Sequence, residues 1–143
     1  MVEYKDGSTI AQASPPNMKG PIALAINYPH RTVAATAPID WSKASSWNFA
    51  PIDAKRFPAV NLARHCGAVG GALPSIFNAS NEVVVEAFMQ GKIKFVEIIP
   101  TVEAIVAHYE KGSIPVLRDL ADVSAIEEDA RKATTAHIEK VTS

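Results

Sequence analysis

The chain of 143 residues is short of most features that announce a chemical site. Its single cysteine, Cys66, excludes an internal disulfide and any multi-cysteine zinc site. No apolar run approaches the ~20 residues that a membrane-spanning helix needs, so no membrane partner is expected. Neither charge dominates: 14 basic and 15 acidic residues leave a net charge of -1, which argues against a broad nucleic-acid face. No phosphate-binding loop is present, and no G-x-G-x-x-G follows a strand. The nearest match, Gly67-Ala68-Val69-Gly70-Gly71, lies between two helical patterns and reads as a turn that ends a helix. The four histidines, His30, His65, His108 and His137, do not fall at metal-ligand spacing, so no metal ligand is expected among them. Residues Met1 to Ile10 lack the basic opening and apolar run of a signal peptide, which makes the cytoplasm the expected compartment.

What remains is a chain that is 48% apolar and 20% charged, enough to build a core and too apolar for global disorder. Val2, Tyr4, Thr9 and Ala11 alternate with polar neighbours around Asp6-Gly7. Asp-Gly is a preferred pair for a two-residue hairpin turn with both residues at positive φ, so a β-hairpin is expected over residues 1–13. Two strands alone are marginal in water, and nothing nearby in the sequence extends the sheet.

Residues 14–56 form a proline-rich connector, and seven of the ten prolines lie between positions 14 and 58. A short helix fits after Pro21, with Ile22, Leu24, Ala25, Ile26 and Tyr28, and Pro29 ends it. Ser45 to Phe49 reads as a short strand. Ile39, Trp41, Trp47 and Phe49 are too apolar for a free linker, so the connector is expected to lie over a surface.

From Phe57 the period becomes helical. One helix opens at Phe57-Pro58 and closes at Gly67, Gly70 and Gly71. A second covers Ser75 to Gln90, with Ile76, Ser80, Val83, Val84, Ala87 and Phe88 on one face and Gly91 as its stop. A third covers about Glu97 to Glu110, and Pro100 fits only in its first turn. The fourth is expected to open at the capping box Ser124-Ala125-Ile126-Glu127, with an apolar stripe of Ile126, Ala130, Ala133, Ile138 and Val141. The fold class is therefore mostly α: a C-terminal bundle of about four helices over 57–143, preceded by a β-hairpin arm and the long connector.

Candidate functional residues are few. Asn78, Asn81 and Glu82 share one face at i, i+3 and i+4, a polar cluster whose structural reading ties the connector's backbone to the bundle. A ligand-binding role is the alternative. Glu127, Glu128 and Asp129 read as solvated carboxylates in a first helical turn. Cys66 beside His65 is no dyad, because adjacent helical residues diverge, so it reads as packing. Pro15-Pro16-Asn17-Met18-Lys19-Gly20-Pro21 is a stiff turn before a helix, with Met18 as an apolar plug.

Five segments carry a family resemblance: MVEYKDGSTIAQ from Met1, PNMKGPIA from Pro16, YPHR from Tyr28, FPAVNLA from Phe57 and NASNEVVVEAF from Asn78. In this order and spacing the chain resembles the C-terminal part of the 1-deoxy-D-xylulose 5-phosphate reductoisomerase family. Asn17, Gly20 and Ser80 are small departures; Ser80 stands where the family has an alanine. The resemblance implies conversion of 1-deoxy-D-xylulose 5-phosphate to 2-C-methyl-D-erythritol 4-phosphate in the non-mevalonate isoprenoid route. It implies NADPH and Mg²⁺ or Mn²⁺ as cofactors, and a homodimer. The family's cofactor-binding and metal-binding groups lie upstream of the matched region. The resemblance thus implies no catalytic residue here, no metal ligand here, and a structural role for a chain inactive by itself. Its partners would be the missing N-terminal and catalytic domains, with residues 1–13 joining the catalytic sheet. One carry-over approaches the chemistry: Pro16 and Met18 would form an apolar wall beside the nicotinamide. The competing reading is a free-standing helical protein-interaction module without catalysis, in which Trp41 and Trp47 should be buried.

Overall fold

The computed structural model describes residues 1–142, in two compact units, Met1–Phe49 and Ala50–Ser143. In the first unit, strands β1 (Val2–Glu3) and β2 (Thr9–Ile10) pair antiparallel, with Val2 opposite Ile10 and Glu3 opposite Thr9. The turn differs from the expected two-residue form. The Tyr4 N–H donates to the Ser8 carbonyl at 2.9 Å and the Gly7 N–H donates to the Tyr4 carbonyl at 3.0 Å, so the loop holds three residues. Only Gly7 takes a positive φ, at 85°. Asp6 acts through its side chain instead, accepting from the Ser8 N–H at 2.9 Å and the Ser8 hydroxyl at 2.7 Å. The hairpin has no third strand among the described residues, and its residues are exposed on both faces.

Helix α1 (Lys19–Asn27) carries Pro21 as its third residue, where the missing N–H costs nothing, and the Tyr28–Pro29 bond is cis. No residue of α1 is buried. The short strand expected at Ser45 to Phe49 does not form, because no partner strand lies beside it among the described residues. In the connector, the Trp41 and Trp47 rings lie 6.2 Å apart, with Trp41 72% and Trp47 50% exposed.

The second unit is the bundle: α2 (Ala59–Val69), α3 (Leu73–Met89), a 3₁₀ turn over Phe95–Glu97, α4 (Ile98–Lys111) and α5 (Leu120–Thr142). Helix α3 is the central member and packs against α2, α4 and α5. Its Leu73, Ile76 and Val84 meet Val102 and Val106 of α4 in one cluster of fully buried side chains, each contributing roughly 1.5–3 kcal/mol. Cys66 belongs to this core and is a packing residue.

Three boundaries depart from the sequence reading. Helix α2 runs through Gly67 to Val69, and the chain reverses at Gly70 and Gly71, both at positive φ. Helix α3 starts at Leu73, two residues early, with Pro74 in its first turn. At its other end Gly91 acts as expected: at φ 73° it lets the Lys92 N–H reach the Ala87 carbonyl at 2.9 Å. Helix α5 opens at Leu120, so the Ser124 capping box is unused. Asp119 caps instead, accepting from the Asp122 N–H at 2.9 Å, while Asp122 accepts from the Arg118 N–H at 3.0 Å. Glu127, Glu128 and Asp129 consequently lie beyond the first turn, and their charge is met by side chains, not by the helix terminus. The α5 stripe is buried at Ile126, Ala130 and Ile138 and fails at Val141, which is exposed at the helix end. Among the described residues no helix is long and apolar enough to cross a membrane.

Candidate functional site

Pro16 and Met18 lie at the entrance to α1. The Asn17 side chain accepts from the Lys19 N–H at 2.9 Å, and the Met18 carbonyl accepts from the Ile22 N–H at 3.2 Å. This local closure holds Met18 outward, with 70% of its surface exposed. Pro16 beside it is exposed too. Behind this turn, a cavity of about 280 Å³ is lined by Gln12, Gly20, Pro21 and Arg31 among others. Arg31 donates to the Gln12 side chain at 3.4 Å. Gly20 packs closely here: a Cβ in its place would sit 3.3 Å from the Thr36 methyl. The element is thus a rigid backbone presenting an apolar thioether to its surroundings.

The polar cluster of α3 is on the bundle's surface. Asn78 donates to Glu82 at 3.1 Å, and Glu82 accepts from Arg131 of α5 at 2.8 Å. Arg131 also reaches Glu127 at 3.4 Å. The Arg131 bond, more than any other contact, holds the Glu82 carboxyl below its usual range. Asn78 and Glu82 therefore join α3 to α5. Asn81 is half-buried. This is a charge-assisted clasp, and it assembles no nucleophile with a base.

Several other titratable groups are similarly occupied. His65 meets Glu110 at 2.6 Å, linking α2 to α4. Burial, and secondarily Glu110, pushes the Cys66 thiol up, so it is not a poised nucleophile. Burial also raises the Tyr109 phenol, helped by its 2.5 Å bond to Asp129. Among the described residues, no group of three or more His, Cys, Asp or Glu side chains could hold a metal ion. Sequence reasoning missed the residues that answer its cluster: Arg131 is 49 positions from Glu82, and only the packing of α3 on α5 brings them together.

Comparison with known proteins accounts for this sparse chemistry. Residues 13–133 match the family model described as DXP reductoisomerase C-terminal domain. The chain is 50% identical over 115 residues to 1-deoxy-D-xylulose 5-phosphate reductoisomerase of Rhodococcus jostii, covering 80% of this chain and 29% of that protein. It is 47% identical over 131 residues to the Streptomyces coelicolor enzyme of the same name, covering 92% of this chain and 31% of that protein. Among solved structures, the Zymomonas mobilis reductoisomerase in complex with NADPH superposes with a TM-score of 0.69 at 38% identity, covering 97% of this chain and 36% of that one. A DOX-P reductoisomerase structure with fosmidomycin and magnesium gives a TM-score of 0.68 at 32% identity, covering 98% of this chain and 36% of that one. The chain spans about three-tenths of the length of the curated relatives it matches.

Proposed function

The chain belongs to the 1-deoxy-D-xylulose 5-phosphate reductoisomerase family as its C-terminal domain, and on that premise we propose that it is the bracing part of such an enzyme. The complete protein would reduce and isomerise 1-deoxy-D-xylulose 5-phosphate with NADPH and Mg²⁺ or Mn²⁺, in the cytoplasm and as a homodimer. The chemistry would be done by domains outside this chain, because proximity and electrostatic stabilisation require groups that it lacks.

One observation carries the reading: the bundle has a well-packed core, while the first unit builds none of its own. Val2 and Ile10 of the hairpin are 59% and 61% exposed, and Ile26 of α1 is 81% exposed. A two-stranded ribbon is not a stable sheet by itself, and exposed apolar surface of this extent marks an interface. We assign residues 1–13 to the sheet of the catalytic domain, 14–56 to the connector and 57–143 to the bundle. The same surface speaks against a free-standing interaction module, which should bury Trp41 and Trp47.

Within the assembled enzyme, Pro16 and Met18 would wall the nicotinamide side of the active site. Met18 makes and breaks no bond; its thioether excludes water around hydride transfer and adapts to what it touches. In the complete enzyme, Met18→Ala is expected to weaken NADPH binding and lower turnover while leaving the fold intact. Unchanged cofactor affinity and turnover would overturn the assignment.

A further inference from the structure

We propose that the seam between α4 and α5 is an anion-binding groove for a compact ligand carrying two or more phosphate groups. The inference is independent of the reductoisomerase reading. The groove has a volume of about 450 Å³, and four of its eight lining residues are basic: His108 and Lys111 from α4, His137 and Lys140 from α5. The others are Ile105 and alanines such as Ala104 and Ala133. No acid lines it, in a chain whose net charge is -1.

The arrangement is paired. His108 and Lys111 are i and i+3 on one wall, and His137 and Lys140 are i and i+3 on the other, so each pair shares a helix face. No ion pair joins any of the four to a carboxylate among the described residues, whereas Arg118, Arg131 and Lys132 are each held by one. His137 also lines a neighbouring cavity that includes Glu97, whose carboxylate accepts from the Lys94 N–H at 2.6 Å. The opposite flank of α5 is different: its groove with α3 carries three carboxylates, Glu82, Glu86 and Glu139, against one cation, Lys92. Helix α5 thus separates a basic seam from an acidic one. Lys111 and Lys140 also lie in the last turns of their helices, where a cation complements the dipole. That effect does not require that they face one groove, nor that two histidines join them there.

Small alanine side chains leave room at the floor, and cations on both walls can approach one ligand from two sides. From Ala104 to Lys111 the wall extends about 10 Å along the helix axis, more than one phosphate group spans. When the imidazoles are protonated, like charges at i and i+3 repel, and a bound polyanion removes that cost.

The test is an NMR titration of the 143-residue chain with inorganic pyrophosphate at fixed ionic strength, following the imidazole resonances of its four histidines. His108 and His137 are expected to shift together and saturably while His30 and His65 stay in place. The double variant Lys111→Ala/Lys140→Ala should weaken binding by about tenfold or more, with the His30 and His65 signals unchanged as the control on folding. Cardiolipin vesicles, whose headgroup carries two phosphates, distinguish the source of the phosphate: competition with pyrophosphate for the same shifts makes the ligand a lipid headgroup, and no competition makes it a soluble one. Equal movement of all four histidines, no saturation, or undiminished binding by the double variant would overturn the proposal. So would displacement of pyrophosphate by poly-glutamate at lower concentration, which would make the partner an acidic polypeptide.

Discussion

Replacing Ser80 by alanine should make the protein more stable. Ser80 is fully buried on α3, and its hydroxyl has no hydrogen-bond partner among the described residues. Leaving a polar group dry and unpaired costs about 1–3 kcal/mol. Alanine is also the better helix former, by roughly 0.5 kcal/mol. Against this stands the small void left by one oxygen, worth a few tenths of a kcal/mol at ~24 cal/mol per Å³. The net is a gain of about 1–2 kcal/mol. Thr134 of α5 is the internal contrast: it is equally buried, but its hydroxyl donates to the Ala130 carbonyl at 2.6 Å. Thr134→Val keeps the shape and loses that bond, so it should cost about 0.5–1.5 kcal/mol. Urea unfolding reads both: the midpoint should rise for Ser80→Ala and fall for Thr134→Val, with unchanged slope. A lower midpoint for Ser80→Ala would refute the reasoning, because it would mean that the hydroxyl is satisfied in the folded chain.

Two further perturbations follow from the helices. Gly67 lies inside α2, and the position that an alanine methyl would take there has nothing within 4 Å, so Gly67→Ala should raise stability by about 1 kcal/mol, read as an upward shift of the thermal midpoint. Arg118 holds the Asp122 carboxyl below its usual range, and Arg131 does the same for Glu82. Carboxyls depressed on folding stabilise the protein above their unfolded values of about 4 and lose that contribution as pH falls through the folded ones. Stability should therefore decline below about pH 4, and Asp122→Asn with Glu82→Gln should flatten the decline in acid denaturation. An unaltered acid limb would show that these exposed pairs contribute nothing measurable.

Local signals carried most of the fold. The 3.6-residue spacing of Ile76, Val84 and Ala87, the stop at Gly91 and the early position of Pro100 placed α3 and α4 to within two residues. The errors arose where two local signals competed. Ser124-Ala125-Ile126-Glu127 has the form of a capping box, but Asp119 offers the first available cap and the helix starts there. Gly67 has the look of a terminator, but a helix tolerates one glycine when the next two supply the reversal. Asp6-Gly7 marked the hairpin correctly and misled on its turn, because the Asp6 side chain bonds to Ser8 and leaves Gly7 alone at positive φ.

The candidate site was less legible. Glu82 was visible as an oddity on an apolar helix, while Arg131, its partner, is brought to it only by the packing of α3 on α5. Met18 carried no chemical signature at all; only the order of five segments gave it a role. The basic seam was invisible because its four cations come from two helices and disappear in a balanced total charge.

The central claim is that this chain is a bracing piece of a larger reductoisomerase. It is tested most directly by the intact mass of the polypeptide that an antibody to residues 57–143 captures from its native cells. Since the chain covers 31% of the Streptomyces coelicolor relative, the account predicts a species about three times heavier than 15.3 kDa. Recovery of a species of 15.3 kDa alone would contradict it.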